Sequence, residues 1–325
     1  MNRHFGFTVL LWFALAPALS VACSVPVFRY ALERWDRDLY QVIVVKDGAF
    51  TEDEISLAQE LKAKTVLGDG FLNAHVSIAD VSQPSMRETL LEMYPRAVDV
   101  AKHGEPILTL FYPREHGNNE VLWQAVFSQA VIDEFFDDAS DKVFAEAIIA
   151  GASTVFVLLE SGDTIADKTA YDTLKVAAKR LQETLEIPEG IIGTDGEVTG
   201  GRLTPEQARA EDPSNQLKSG IPLKISFEVV RLTSNPILRS LLLNMEDGLL
   251  SQTDQPMAFP IFGRGRVLPP MVGEAINSEN IALAAGYLCG ACSCQMKAQN
   301  PGIDSISNLD WRSYLDGSEV IQSKE

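Results

Sequence analysis

Four cysteines carry the most suggestive chemistry in this 325-residue chain, and three of them are clustered as Cys289-Gly-Ala-Cys292-Ser-Cys294. Cys289 and Cys292 are three apart, so a helical turn puts them on one face, as a redox pair or as ligands to one ion. Cys294 adds a third sulfur, and soft thiolates favour Cu(I) or Zn. A closed Zn site takes four ligands. His75, His103 and His116 are all distant in sequence, which leaves Cys23 as the remaining cysteine. Ser293 stands where a c-type haem motif needs His, so that chemistry is excluded. Cys289, Cys292 and Cys294 are therefore the redox, disulfide or metal candidates. Beside redox or metal handling stands the simpler reading, a disulfide that staples the C-terminal loop to the last helix.

Cys23 follows a segment that reads as an export signal. Arg3 supplies the basic start, residues 7–18 are apolar with Pro17 breaking the run, and Ser20-Val21-Ala22 are the small residues of a cleavage site. A membrane span would need about 20 apolar residues, and Arg29, Glu33 and Arg34 come too soon. Residues 1–22 are thus expected to be removed and the rest to lie in the periplasm or cell envelope. Cys23 stands where a lipoprotein carries its acylated cysteine, although Ser20 replaces the usual Leu. Two readings stay open: a lipid anchor on Cys23, or a free or disulfide-bonded thiol in an oxidising compartment.

Lys and Arg number 27 against 45 Asp and Glu, a formal charge of −18. Nucleic acid is excluded as a partner because phosphate binding needs clustered cations. An anionic membrane surface is disfavoured for the same reason, so membrane contact would come only through a lipid on Cys23. Gly263-Arg-Gly-Arg266 lacks the G-x-x-x-x-G-K spacing of a phosphate loop and reads as a tight hairpin turn. Its two arginines are expected to be exposed and able to meet a partner carboxylate. Asp133, Glu134, Asp137, Asp138 and Asp141 read as a solvated helix end, with a weak divalent-cation site as the alternative. Trp35, Trp123 and Tyr112 are expected in the core. No Ser-His-Asp or paired-carboxylate spacing stands out.

The elements that must position these residues follow from periodicity and turn signals. Val25–Trp35 is a short amphipathic helix and Gln41–Val45 a strand. Thr51 with Glu54 forms a capping box that opens a helix to about Lys64. Ala74–Val81 is a strand, Ser85–His103 is helical and interrupted at Pro95, Ile107–Tyr112 and Val121–Phe127 form a hairpin, and Gln129–Asp137 closes the unit. A second set comprises strand Thr154–Glu160, helix Lys168–Leu185, an inserted surface loop over 188–222, strand Leu223–Leu232, helix Pro236–Met245, strand Met257–Phe262, a turn into Val267-Leu268, and a last helix from Ser278.

This β-α-β-α-β-β-α order, with Pro106 and Pro256 directly before the third strand of each half, resembles the thioredoxin fold. The resemblance implies an α/β protein of two tandem thioredoxin-like domains, 23–140 and 141–311, with a flexible tail over 312–325. It also implies cis peptide bonds before Pro106 and Pro256. It does not carry over the chemistry. A thioredoxin holds C-x-x-C after the first strand, where the helix N-terminus lowers the attacking thiol's pKa. The corresponding positions are Lys46-Asp-Gly-Ala49 and Ser161-Gly-Asp-Thr164, without cysteine.

The strings Cys23-Ser-Val-Pro-Val-Phe-Arg-Tyr-Ala-Leu-Glu-Arg-Trp35, Val157-Leu-Leu-Glu-Ser-Gly-Asp163, Phe259-Pro-Ile-Phe-Gly-Arg-Gly-Arg266, Cys292-Ser-Cys-Gln295 and Asn300-Pro-Gly-Ile-Asp304 resemble a family of uncharacterised exported bacterial proteins. That resemblance implies an exported chain beginning near Cys23, with Cys292 and Cys294 as the shared cysteine pair. The leading expectation is a non-catalytic binding or assembly module with an envelope protein partner, binding through the acidic surface and the 188–222 loop. The alternative is thiol-disulfide or Cu(I) handling at Cys292 and Cys294.

Overall fold

In the computed structural model the described residues are 23–117, 119–137, 143–232, 235–246 and 248–315. The leader, the tail after 315, and Asp138 and Asp141 of the acidic run lie outside them. The first unit has α1 (Val27–Arg34), β1 (Tyr40–Lys46), α2 (Glu52–Ala63), β2 (Ala74–Asp80), α3 (Pro84–Met93), α4 (Pro95–Val100), β3 (Ile107–Phe111), β4 (Val121–Val126) and α5 (Gln129–Asp137). Then come α6 (Ala145–Ile149), β5 (Thr154–Leu159), α7 (Thr164–Thr184), α8 (Pro205–Glu211), β6 (Phe227–Arg231), α9 (Pro236–Asn244), β7 (Met257–Phe262), β8 (Arg266–Val267), β9 (Met271–Val272), α10 (Ser278–Cys289), α11 (Cys294–Gln299) and β10 (Ile303–Asp304).

β1 and β5 are runs of apolar, mostly β-branched residues with almost every side chain buried, as the central strands of a sheet covered on both faces must be. The first sheet runs β2-β1-β3-β4, with β1 parallel to β2 and the other pairs antiparallel. The second repeats that order and direction as β6-β5-β7-β8, adds β10 outside β8, and carries β9 on β7. This is a mixed α/β chain with two sheets. The expected capping box of α2 is formed: Glu54 N–H donates to Thr51 Oγ1, and Thr51 N–H donates to the Glu54 carboxylate. Asp163 caps α7 through Ile165 and Ala166 N–H, so the helix begins four residues before the expected Lys168.

The two sheets share one apolar core. Leu108, Leu110, Tyr112 and Leu122 lie in a single buried cluster with Val155, Val157, Leu238, Leu241 and Phe259. Tyr112 Oη donates to Leu241 O and Ser240 Oγ to Leu122 O, stitching α9 onto the first sheet. α1 precedes β1 in sequence yet packs against the second unit, its Val27, Phe28 and Ala31 clustering with Phe156, Leu174, Phe262 and Leu288.

Several expectations need correction. No peptide bond among the described residues is cis, so Pro106 and Pro256 are both trans. Each instead ends strand pairing with its carbonyl, Pro106 O accepting from Phe127 N–H and Pro256 O from Gly273 N–H. The 188–222 segment is not a free surface loop. It contains α8, a bridge between Ile192 and Val198, and fully buried Ile191, Ile192 and Asn215. The start of the segment read as a tail is packed too, with Leu315 fully buried beside Trp311 in the shared core.

Candidate functional site

Pro26 has an extended ψ of 151°, which holds the residues before α1 as a strand-like segment. That segment pairs antiparallel with the chain leaving α10. Cys292 N–H donates to Val25 O at 2.9 Å and Val27 N–H to Gly290 O at 3.0 Å, with Pro26 opposite Ala291. Cys292 thus stands opposite Val25, two residues after Cys23. Cys23 and Cys292 are both fully buried, and Cys294, at the start of α11, is exposed. All four thiols are free.

The 188–222 segment covers Cys23 and Val25, with Ile191 and Leu217 packed on them. Asn215 accepts from Ser24 N–H at 2.7 Å and donates to Ala208 O at 2.9 Å. Beside the thiols, Lys297 Nζ donates to Asp212 Oδ2 and Ser214 Oγ, each at 2.8 Å, and stands 5.0 Å from the Tyr30 ring centre. Burial opposes the Lys297 charge, but the Asp212 carboxylate offsets it and the pKa is raised. Burial pushes the Cys292 thiol up to about 12, Cys23 adding to the rise and Lys297 opposing it. Cys292 is thus protonated at neutral pH and poorly suited to attack or to ligate a soft metal.

Cys289 does not share the Cys292 turn in the expected way. It closes α10, and the chain is extended from Gly290 onward. Its thiol is hydrogen-bonded to Ser153, and burial pushes it up to about 12. Among the described residues no group of three or more His, Cys, Asp or Glu side chains is arranged to hold a metal ion.

The strand-to-helix junctions after β1 and β5 each hold a carboxylate from the chain itself. After β1, Gly48 N–H donates to Asp80 Oδ1 at 3.0 Å, and Lys46 Nζ is paired with Glu54 at 2.8 Å. After β5, buried Asp167 accepts from Ser161 N–H and Oγ, both at 2.8 Å, and from Gly162 N–H at 3.0 Å. Sequence reasoning missed both aspartates: Asp80 ends β2 and accepts from Ser82 N–H, and Asp167 lies in the first turn of α7.

The Gly263–Arg266 turn is formed, but its arginines point inward. Arg264 donates to Trp35 O, and full burial lowers its pKa to about 10. Arg266 pairs with Asp304 at 2.9 Å and donates to the carbonyls of Asn300, Pro301 and Gly302. Asp38 and Asp304 exchange hydrogen bonds from each other's backbone N–H at 2.9 Å, and His116 reaches Asp38 at 3.2 Å. In α1 the ion pair Arg29–Glu33, at 2.9 Å, is fully buried and grips Ser219 and Ile221. Trp35 and Tyr112 are core residues as expected, while Trp123 is half-buried. No helix among the described residues is long and apolar enough to cross a membrane.

Comparison with family models, with curated proteins and with solved structures finds no match to this chain.

Proposed function

We propose that this chain is a non-catalytic binding or assembly module, built on two thioredoxin-like units and working in the periplasm or cell envelope. The observation that carries the reading is the state of the two strand-to-helix junctions. Both lack thiols, and Asp80 takes the Gly48 N–H at the first while Asp167 takes the Ser161 and Gly162 N–H groups at the second. A site that accepts an incoming substrate needs those donors unspent. The repeated strand order supports the scaffold, and the export-type leader supports the location.

The outer face of α7 is the surface we favour over the 188–222 segment. Ile165 and Val176 are exposed on it, Val176 lines a cavity with Lys175 and Lys179, and Arg180 lines a separate one with exposed Leu283 of α10. A photoreactive residue at Val176 is expected to cross-link an envelope protein in cells, and one placed at Glu211 of α8 is not. In parallel, the purified chain is expected to leave the reduction of a disulfide-bonded test protein by dithiothreitol at its uncatalysed rate. Turnover above that rate, or cross-linking from Glu211 alone, refutes the reading.

A further inference from the structure

The geometry points to a disulfide between Cys23 and Cys292, tying the residues before α1 to those after α10. Three observations converge on this pair. The hydrogen bonds of Cys292 to Val25 and of Val27 to Gly290 hold Cys292 against a residue two positions from Cys23. A disulfide usually spans about 5.5–6 Å between Cα atoms, so forming it draws these two backbone segments together. Both thiols are fully buried, whereas Cys294 faces solvent. Cys292 also senses the charge of Cys23 more strongly than that of Cys294.

The assignment is independent of the binding reading. It leaves Cys289 as a thiol against Ser153 and Cys294 as a thiol in solvent. It also removes Cys23 as a lipid attachment point, since one sulfur cannot be both thioether and disulfide. The step balances with a disulfide oxidant such as glutathione disulfide. In the unfolded chain, where neither thiol is buried, a Cys23 or Cys292 thiolate attacks one glutathione sulfur and releases a glutathione thiolate. The second protein thiolate then displaces the other glutathione. One S–S bond is formed for one broken, and the two protein protons end on two glutathione thiols.

The test refolds the full chain from the reduced, denatured state in a glutathione redox buffer. It then counts maleimide-reactive thiols under denaturing conditions, before and after reduction. The expected result is two reactive thiols before reduction and all four after. Cys294→Ser is expected to leave one before reduction, and Cys23→Ser or Cys292→Ser three each. The intact mass is expected to fall by two hydrogens with no glutathione retained. Where a variant does not refold, the wild-type chain decides. Trypsin places Cys23 in a peptide ending at Arg29 and the other three cysteines in Val267–Lys297. Fragment ions on either side of Cys292 then locate the link. Four reactive thiols, a Cys23–Cys294 or Cys292–Cys294 link, a glutathione adduct, or acyl chains on Cys23 in the exported protein each overturn the assignment.

Discussion

Both carboxylate oxygens of Glu33 are engaged out of reach of solvent, by Arg29 and by the backbone N–H groups of Lys218 and Ser219. Glu33→Gln leaves the buried Arg29 guanidinium without its counter-charge. Removing one member of a buried pair costs about 3–5 kcal/mol, so denaturant unfolding should show a loss of that size. A double change of Arg29 and Glu33 to apolar residues should cost much less. Asp80 offers a pH test. Its Ser82 hydrogen bond leads the effects that hold the carboxyl down from 3.8 to about 2. A folded pKa below the unfolded one stabilises the fold above the ordinary carboxylate range, and that contribution is lost as pH falls through about 2. The stability gap between the wild type and Asp80→Asn should therefore be widest near neutrality and close between pH 4 and pH 2.

At the scale of elements, α7 begins on two aspartates with unequal duties. Asp163 is an exposed N-cap, whereas Asp167 is buried and satisfies the turn that feeds the helix. Asp163→Ala should cost about 1 kcal/mol, and Asp167→Ala about 1.5–3 kcal/mol, the range for charged hydrogen bonds. Thermal unfolding of the two variants ranks them directly. The Gly263–Arg266 turn depends on its glycines for conformation and for close approach. Gly263 has φ 60°, and a Cβ there would meet the Ala31 Cβ of α1 at 2.9 Å. Gly265 has φ 96°, and a Cβ there would meet Ser305 Oγ at 2.5 Å. Left-handed backbone costs a side chain about 1–2 kcal/mol, and overpacking adds about 1–3 kcal/mol. Either glycine changed to alanine should thus lose at least about 2 kcal/mol, with Gly263→Ala also loosening α1.

For the whole molecule, the shared core and the α1 clasp argue that the two units do not unfold separately. α1 is ahead of the first sheet in the chain but packs on the second, and Asp304 near the C-terminus is hydrogen-bonded to Tyr40 and Asp38 at the start of the first. Separating the units would expose Leu241, Leu242 and Tyr112 and strand the Asp38–Arg266–Asp304 group in an opened interface. Thermal unfolding followed by tryptophan fluorescence and by far-ultraviolet circular dichroism should therefore give one coincident transition. Two transitions would mean that the core between the sheets is weaker than its continuity implies.

The main strands and helices, the capping box at Thr51, the place of Pro106 and Pro256 directly before a strand, and the absence of cysteine at both strand-to-helix junctions were legible in the sequence, whereas the short elements α6, α8, α11, β9 and β10 and the trans state of both prolines were not. Each of the former depends on residues a few positions apart, where periodicity and cap chemistry act. The inward arginines, the buried Arg29–Glu33 pair and the folded 188–222 segment were not legible either. A charged residue is exposed by default, and only a partner brought from far along the chain reverses that. For Arg29 the partner carbonyls are 190 and 192 residues away, and for Asp38 the Asp304 carboxylate is 266 residues away. The cysteines divide the same way. Composition and spacing determined that sulfur gathers near residue 290, with one further cysteine at position 23. Only the tertiary structure decided that Cys23 and Cys292 are both buried and that Cys292 meets Val25, because two short segments far apart in the chain had to find each other's backbone hydrogen bonds first.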